Sequence, residues 1–330
     1  MRAVVCVAPG SADQLEIQRV DDPVPGPGEV LLRVGATALN RADIHQREGR
    51  YPPPPGASPI LGLEAAGHVE AVGSQVTEWK PGDRAFALLS GGGYAEKVTV
   101  SAGHLLRIPP GMSIVEAAAI AEAFLTAWQA LFVIGSPRPG DAIMLHAGGS
   151  GVGTAGIQLA RQMGLRVFVT CSDGKRSACE ALGAERAIDY RSERFADIVL
   201  DATAGAGVRV IVDPVGAPYL AEDLKCLAWD GVVVLLSTMG GSRVESLDLR
   251  DLFRRRGTIT ASTLRNRSDE YKADLVGGFV RRAMPWLEGG AMKPVVDTVM
   301  PWTDVAQAHR RLESGVTVGK IVLVVDPAIE

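Results

Sequence analysis

A glycine-rich segment lies between a short apolar strand and a helical stretch, and reads HAGGSGVGT over residues 146–154. Glycines allow a tight turn after a strand, and the N-terminus of the next helix offers unpaired N–H groups to a pyrophosphate. A literal GxGxxG occurs at Gly151, Gly153 and Gly156. The register Gly148-x-Ser150-x-x-Gly153 lies closer to the strand and is preferred. The segment predicts a dinucleotide site; a glycine-rich turn without ligand is the alternative.

The residues after the next predicted strand indicate which dinucleotide would bind. An NAD site would place a carboxylate at the end of that strand for the ribose hydroxyls. Asp173 lies about 20 residues past the glycine loop, but it falls beyond the strand, beside Ser172, Lys175 and Arg176. Two cations and a hydroxyl suit a 2′-phosphate better, so NADPH is favoured. The alternative is that the two cations only begin a solvated helix.

The elements around this loop indicate two domains. Residues 1 to about 120 read as short strands separated by turns, which suggests a barrel or sandwich. Residues from about 120 to 265 alternate apolar strands with helical stretches, which predicts a doubly wound parallel sheet. The predicted strands in these two parts lie at residues 3–7, 30–39, 68–72, 84–89, 94–100, 142–146, 166–171, 187–190, 208–212, 232–236 and 258–261. A long helix is predicted over 269–288, where Pro285 is the candidate position for a kink, and it leads to strands at 295–299 and 321–325.

Composition excludes several classes of protein. The chain has 330 residues, of which 38 are glycine, with a net charge of −4 and four cysteines. This charge does not attract phosphate backbones, so nucleic-acid binding is unlikely. The cysteines are scattered and read as free thiols of a cytoplasmic protein. Residues 142–160 lack charge but contain five glycines and a histidine, so a phosphate loop explains them better than a membrane span.

Four segments resemble the medium-chain dehydrogenase/reductase superfamily: 39–43 (LNRAD), 62–68 (GLEAAGH), 147–153 (AGGSGVG) and 319–323 (GKIVL). Residues 50–56 (RYPPPPG) and 118–131 are most similar to its zinc-independent quinone oxidoreductases, in the tumour-suppressor-inducible and zeta-crystallin branch. The resemblance runs in consistent order over essentially the whole chain.

The resemblance implies an α/β protein with a Rossmann domain and a GroES-like β-rich catalytic domain. The catalytic domain would comprise residues 1–122 and be completed by 266–330, with the NADPH-binding domain at 123–265 and the active cleft at the junction. Family members form dimers or tetramers, so a homodimer or homotetramer is expected.

The resemblance also assigns cofactor contacts by position. Ser172, Lys175 and Tyr190 would hold the 2′-phosphate and adenosine. The pyrophosphate would face Ser150, Gly151, Val152 and Gly153. Thr126, Met239, Gly240 and Leu264 would lie near the nicotinamide, and Lys320 is a weaker assignment.

The residue types argue against a catalytic metal. Zinc-dependent relatives keep their ligands at the places of Asn40, Leu63 or Glu64, and Glu122. Asn40 and Leu63 replace a thiolate and an imidazole, and the remaining carboxylates alone make a poor zinc site. The segment 85–100 also lacks the four cysteines of a structural zinc lobe. The prediction is therefore a zinc-free protein.

Tyr51, Asn40 and His45 are the candidate catalytic residues. The Tyr51 phenol could hydrogen-bond a substrate carbonyl or donate a proton, and four prolines would stiffen its loop. An aromatic wall is the alternative role. His45 lies five residues after Asn40, where some zinc dehydrogenases keep a relay histidine, but a surface histidine fits equally. His68 and His309 are read as structural or solvated.

Without a Lewis acid to hold an alkoxide, alcohol oxidation loses its main stabiliser, whereas a quinone accepts reducing equivalents readily. The sequence therefore predicts an NADPH-dependent quinone oxidoreductase acting on a small quinone, without a membrane partner. An enoyl or enone reductase is the nearest alternative. A non-catalytic, crystallin-like protein that binds NADPH as a stabilising ligand is the alternative from another class.

Overall fold

The computed structural model describes residues 1–329, which form two compact units. Unit 1 comprises residues 1–125 and the residues from 264 onward, and unit 2 comprises residues 126–263. The chain leaves unit 1 after Leu125 and returns to it after Thr263. The sequence predicted these boundaries after residues 122 and 265.

The strands are, in chain order, β1 Arg2–Cys6, β2 Leu15–Arg19, β3 Glu29–Ala38, β4 Glu64–Val72, β5 Arg84–Leu88, β6 Lys97–Ser101, β7 Leu105–Arg107, β8 Ala142–Leu145, β9 Arg166–Cys171, β10 Arg186–Asp189, β11 Val208–Asp213, β12 Leu227–Leu235, β13 Thr258–Ala261, β14 Val296–Pro301 and β15 Lys320–Val324. The α-helices are α1 Arg41–Arg47, α2 Ile114–Ala117, α3 Ala121–Trp128, α4 Gly151–Gln162, α5 Arg176–Leu182, α6 Phe195–Ala202, α7 Ala217–Cys226, α8 Arg250–Arg254, α9 Asp269–Arg282, α10 Met284–Glu288 and α11 Val305–Glu313.

Unit 1 is built on a seven-stranded sheet. Its order is β14-β15-β3-β4-β5-β7, and β6 also pairs with β3. The long strand β3 is therefore central, because it pairs antiparallel with β4, β6 and β15. Strand β15 comes from the returning segment of the chain, so the C-terminal residues complete a sheet that the N-terminal residues begin.

A single apolar core fills the interior of unit 1, with Leu32, Ala65, Tyr94 and Leu323 among its buried members. The close approach of β3 and β4 requires a glycine: a Cβ on Gly67 would lie 1.9 Å from the carbonyl oxygen of Arg33. This contact sets the separation of the two strands whose ends carry Glu64 and Asn40.

Unit 2 contains a six-stranded parallel sheet in the order β10-β9-β8-β11-β12-β13. From β8 the chain adds β9 and β10 on one side of the sheet, and then β11, β12 and β13 on the other side. The carboxyl end of β8, beside β11, is therefore a topological switch point. Open sheets of this order bind ligands in the crevice at that point.

Both faces of this sheet are covered by apolar helices. Ile143 and Leu145 of β8 point to one face, which packs on α4 and α5. Met144 points to the other face, which packs on α6 and α7. Burial on both faces explains why the strands read as continuous apolar runs, and it confirms the predicted doubly wound α/β fold.

Four elements differ from the sequence expectation. The predicted strand at 94–100 begins only at Lys97, because the preceding residues join unit 1 through a bridge at Ala95 rather than a ladder. The predicted long helix is two helices, α9 and α10, broken at Ala283 just before Pro285, whose ring cannot follow an uninterrupted helix. The short strands β2 and β7 were not predicted.

One helical stretch, Ile114–Gly135, has the length and apolar composition to cross a membrane, with a mean hydropathy of 1.7. Its most apolar window is 72% buried inside the structure. Such burial is typical of a core helix, which needs the same apolar composition.

Candidate functional site

The glycine-rich segment joins β8 to α4 at the switch point of unit 2. Ser150 is the N-cap of α4, and its hydroxyl accepts a hydrogen bond from the Gly153 N–H at 3.0 Å. The backbone N–H groups of Gly151 and Val152 are in the first helical turn, where no intrahelical acceptor exists. They are the donors that this helix offers to an anion.

Close packing distinguishes the two glycine registers. A Cβ on Gly148 would lie 2.7 Å from the Val169 side chain, and one on Gly153 would lie 2.4 Å from the Ala147 carbonyl oxygen. At Gly156 the nearest atom is a flexible Leu145 methyl at 3.0 Å. Gly153 belongs to both registers, so the distinction rests on Gly148, which has no room for a side chain, and on Gly156, whose nearest neighbour is flexible; it favours the preferred register.

A buried pair holds the start of this loop. His146 contacts the Thr170 hydroxyl at 2.9 Å through Nδ1 and the Asp223 carboxylate at 2.8 Å through Nε2. The ring packs edge-on against Phe195 and Tyr219, with centroids 4.8 and 4.7 Å away. The histidine therefore fixes the end of β8, where the turn begins.

The end of β9 carries no carboxylate. Its last residue is the buried Cys171, followed by Ser172, and the Asp173 side chain is 80% exposed. The aliphatic part of the Lys175 side chain packs against Gly149 of the glycine-rich loop. A Cβ on Gly149 would lie only 2.7 Å from Lys175 Cδ. These residues lie together at the switch point, in the arrangement expected for a phosphate-bearing adenosine. Their cofactor contacts remain predictions.

Other residues assigned to the cofactor lie at the carboxyl edge of the same sheet or at the unit boundaries. Tyr190 follows β10 and is 44% exposed. Met239 and Gly240 follow β12, and their N–H groups donate to the carbonyls of Pro214 and Val215 after β11. Thr126 begins unit 2, whereas Leu264 is buried in unit 1.

Lys320 forms a buried cluster in unit 1. Its ammonium donates to Asn40 Oδ1 at 2.6 Å and to the Leu39 carbonyl at 2.6 Å, and it forms an ion pair with Glu64 Oε1 at 2.7 Å. The side chains of Lys320 and Glu64 are only 5% and 0% exposed. All three partners lie in unit 1, so Lys320 is part of this cluster; its weaker cofactor assignment stays a prediction.

Glu64 is fully satisfied by the same cluster. Oε1 also accepts from Asn40 Nδ2 at 3.0 Å, and Oε2 accepts from the backbone N–H of Glu122 at 2.9 Å. The three positions that correspond to zinc ligands in zinc-dependent relatives thus lie together around an ammonium group. Within residues 1–329, no group of three or more His, Cys, Asp or Glu side chains could hold a metal ion.

A second carboxyl group of the cluster keeps its proton. Burial, and then the nearby charge of Glu64, raise the pKa of Glu122 from 4.5 to about 8. Lys320 lowers that pKa but is already paired with Glu64. Glu122 is therefore mostly a neutral acid near pH 7, beside an ionised pair.

A chain of hydrogen bonds with a defined direction connects α1 to His309 and Tyr94. Arg47 can only donate, and it contacts His309 Nδ1 at 3.3 Å. Nδ1 is therefore the acceptor, and Nε2 carries the proton of the ring. His309 Nε2 meets the Tyr94 hydroxyl at 3.3 Å, and Tyr94 donates to Asp43 at 3.3 Å. Burial lowers the pKa of His309 to about 3 and raises that of Asp43 to about 6. His309 is thus a neutral structural residue.

Tyr51 is held close to the end of α1. Its N–H donates to the His45 carbonyl at 3.2 Å, and the Arg265 guanidinium lies 5.3 Å from the centre of its ring. Arg265 also donates to the carbonyl of Tyr51 and to Gln46 Oε1 at 2.7 Å. Burial raises the pKa of the Tyr51 phenol, which keeps it protonated.

His45 is less favourably placed for proton relay. Its Nδ1 is buried, lies 3.8 Å from Glu48 and makes no hydrogen bond within the part of the chain that the structure describes. Burial and the nearby Arg50 lower the pKa of His45, so the ring is neutral.

Sequence reasoning did not single out Arg265, Ser90 or Lys272, which lie together in unit 1. Arg265 Nε donates to the Ser90 carbonyl at 2.8 Å, and Lys272 Nζ donates to its hydroxyl at 2.7 Å. One signal was available: Lys272 shares the helical spacing of Leu275, Val276 and Phe279, which are all buried. A lysine on the apolar face of a helix indicates a buried charge.

Two family descriptions match the chain: "Alcohol dehydrogenase GroES-like domain" over residues 26–110 and "Zinc-binding dehydrogenase" over residues 182–323. The human synaptic vesicle membrane protein VAT-1 homolog is 32% identical over 346 aligned positions, which cover 100% of this chain and 88% of that protein. The fold is thus a GroES-like domain combined with a Rossmann domain, as the sequence predicted.

Solved structures agree over 98% of the chain. The quinone oxidoreductase of Pseudomonas syringae pv. Tomato DC3000 is 30% identical with a TM-score of 0.86 and is covered over 99% of its length. Mycobacterial Rv1454c, solved with NADPH, is 29% identical with a TM-score of 0.88 and is fully covered. An NAD-dependent alcohol dehydrogenase (33%, TM-score 0.87, fully covered) and the CurK enoyl reductase (26%, TM-score 0.86, 98% covered) share the fold.

These likenesses define an oxidoreductase that uses a nicotinamide dinucleotide. The chain belongs to the medium-chain dehydrogenase/reductase superfamily and is similar to its zinc-independent quinone oxidoreductases.

Removing the buried ammonium should destabilise unit 1. Lys320→Met leaves the Glu64 carboxylate buried without its cation, so we expect a loss of about 3–5 kcal/mol in the free energy of unfolding. The double variant with Glu64→Gln removes both charges and should lose less than the sum of the two single variants. Urea unfolding measures all three, with exposed Lys225→Met as the control; strict additivity would contradict the coupling.

The proton on Glu122 should appear in the pH dependence of stability. Between pH 4.5 and about 8 the unfolded chain loses this proton and the folded chain keeps it, so stability falls as pH rises. Glu122→Gln removes this effect. Its stability relative to wild type should therefore increase by at least about 1 kcal/mol from about pH 5 to pH 8. The control is exposed Glu180→Gln, and an equal difference at both pH values would refute the assignment.

Proposed function

We propose that this protein is an NADPH-dependent, zinc-independent quinone oxidoreductase that transfers reducing equivalents from nicotinamide to a small quinone. The observation that carries the proposal is the ammonium of Lys320 between Asn40 and Glu64. An ammonium group occupies the place where zinc-dependent relatives concentrate their ligands, and its nitrogen has no vacant orbital with which to act as a Lewis acid.

The substrate class follows from that chemistry. Alcohol oxidation develops an alkoxide that zinc would stabilise, and the Lys320 ammonium is already paired with the Glu64 carboxylate. A quinone needs less assistance, because its reduction restores aromaticity and its product oxygens take protons readily. The likeness to the Pseudomonas quinone oxidoreductase supports the same class.

The cofactor preference rests on the end of β9. The strand ends in Cys171 and Ser172, and Lys175 lies across the phosphate loop, so this edge offers a hydroxyl and a cation. That donor set fits a 2′-phosphate better than a ribose diol. The NADPH complex of Rv1454c supports this choice. Because a similar structure is that of an NAD-dependent alcohol dehydrogenase, the preference between NADPH and NADH is tested kinetically below.

The chain's own residues would bind and orient the reactants. The first turn of α4 would hold the pyrophosphate through the N–H groups of Gly151 and Val152. When bound, the nicotinamide supplies the reducing equivalents. Tyr51 and Glu122 both keep their protons near neutral pH. A neutral phenol or carboxylic acid can donate a hydrogen bond to a carbonyl oxygen that gains negative charge.

The expected setting is the cytoplasm, as a homodimer or homotetramer without a membrane or nucleic-acid partner. Four free cysteines, three of them buried, fit a reducing compartment, and the net charge of −4 does not favour anionic polymers. The apolar helical stretch is mostly buried, which supports a core role for it.

A second candidate is an NADPH-dependent enoyl or enone reductase. The likeness to the CurK enoyl reductase favours it, and Tyr51 would then give its proton to carbon. A non-catalytic NADPH-binding protein, as in crystallins, would bind the cofactor tightly and turn over no carbonyl acceptor.

Activity against matched acceptors tests the proposal. Purified protein treated with a chelator should oxidise NADPH with 1,4-naphthoquinone at least about tenfold faster than with a cyclic enone, and should not oxidise simple alcohols with NADP⁺. Zinc-dependent alcohol dehydrogenase treated in parallel is the control for metal removal. Loss of quinone reduction after chelation would overturn zinc independence, and faster enone reduction would overturn the quinone assignment. Tight binding without turnover would favour the non-catalytic alternative.

Lys175→Ala should weaken NADPH selectively. The lost charge-assisted contact should raise the KM for NADPH about tenfold or more and leave the KM for NADH nearly unchanged. Steady-state kinetics with both cofactors measure the ratio, and exposed Lys225→Ala is the matched control. An equal loss with both cofactors would contradict contact with the 2′-phosphate.

A further inference from the structure

A cavity of about 390 Å³ lies within unit 1. Its lining includes the loop at Ser90–Gly92, Arg265 and the first turn of α9. Side chains are excluded from the loop wall: a Cβ on Gly91 would lie 2.5 Å from the Ser58 carbonyl oxygen. The loop therefore presents its backbone and the Ser90 hydroxyl.

Two buried cations line this cavity. Arg265 and Lys272 are each only 3% exposed. Their acceptors among residues 1–329 are all neutral, namely the Ser90 carbonyl and hydroxyl, the Tyr51 carbonyl and the Gln46 amide. Burial lowers the pKa of both groups. This arrangement differs from Lys320, whose ammonium is paired with a buried carboxylate.

Other ionisable groups also line the cavity. They are Arg267, Lys97, Glu29, Asp269 and His104, and burial lowers the pKa of His104 so that its ring is neutral. Lys97 is neutralised by Asp22 and Glu70, and Glu29 accepts from the Gly26 N–H. Asp269 is 79% exposed, with its carboxylate 3.9 Å from His104.

Arg265 connects this cavity to the candidate catalytic residue Tyr51. The same guanidinium donates to Ser90, stacks over the Tyr51 ring at 5.3 Å and donates to the Tyr51 carbonyl. A molecule whose carbonyl is bonded by Tyr51 could thus place a second polar group toward Arg265 and Lys272. A buried cation without an ionic partner gains most from an anion that also escapes water.

We propose that this cavity binds an anionic substituent of the substrate, a carboxylate, sulfonate or phosphate, through Lys272 and Arg265. The proposal rests on the quinone or enone reduction argued above, and it narrows the substrate class to acceptors that carry an acidic group. The shared chemistry is a compact oxyanion, whether it belongs to the acceptor itself or to a phosphate-bearing carrier.

A matched pair of acceptors tests the site. With NADPH saturating, the KM for 1,4-naphthoquinone-2-sulfonate should be about tenfold lower than that for neutral 1,4-naphthoquinone, because a charge-assisted contact to a buried cation is strong. In Lys272→Met the ratio of the two KM values should fall to about one. Lys272→Arg should restore the preference, and exposed Lys225→Met should leave the ratio unchanged. A ratio near one in wild type, or an equal KM change for both acceptors in Lys272→Met, would overturn the proposal.

Binding separates this proposal from the proposed activity. Calorimetric titration of the NADP⁺ complex with naphthalene-2-sulfonate and naphthalene needs no turnover, and only the anion should bind measurably better in wild type than in Lys272→Met. If neither quinone is reduced but this difference is found, the activity fails and the anion site stands. Equal binding of both compounds would refute the site whatever the activity.

Titration with inorganic phosphate distinguishes a free phosphate from an acceptor-borne group, since tighter binding of phosphate than of the sulfonate would contradict a substrate-anchoring role.

Discussion

The buried ion pair between Lys320 and Glu64 is the interaction on which the candidate catalytic unit depends. Each partner needs the other, because an isolated charge in this interior would cost several kcal/mol. The pair joins β15, which comes from the C-terminal segment, to β4, which comes from the N-terminal segment. Through Asn40 it also fixes the start of α1, and through the N–H of Glu122 it fixes the first turn of α3. One ionic contact therefore positions Asn40, Glu64 and Glu122 at one place in unit 1.

The same pair determines the protonation of its neighbours. Lys320 can compensate one carboxylate, and it forms an ion pair with Glu64 at 2.7 Å. Glu122 is left beside a negative charge in a buried place, so it retains its proton to about pH 8. Asp43, which has backbone N–H donors and the Tyr94 hydroxyl, titrates nearer pH 6. At neutral pH Glu122 is therefore mostly protonated whereas Asp43 is mostly ionised, because the two carboxyl groups receive different donors.

The fold was largely predictable from the sequence, whereas the polar clusters were only partly so. Alternating apolar strands and helices predict the parallel sheet, since burial on both faces leaves a local pattern. The place of Ser150 at the start of α4 follows from the same local rules. The contacts of Lys320 with Asn40 and Glu64 join residues more than 250 positions apart, and no local pattern encodes them. The resemblance placed Asn40, Glu64 and Glu122 at one site, but it did not indicate that an ammonium lies among them.

The two kinds of buried cation in unit 1 suggest how a structural charge differs from one that serves a ligand. Lys320 is paired with a full negative charge of its own chain, so adding an anion there would compete with Glu64. Arg265 and Lys272 are equally buried, yet their acceptors within residues 1–329 are uncharged and they face a cavity. Folding around such groups costs stability that the chain itself does not recover through ion pairing. A bound anion would supply the missing charge, which is why the cavity beside them is the place where binding gains most.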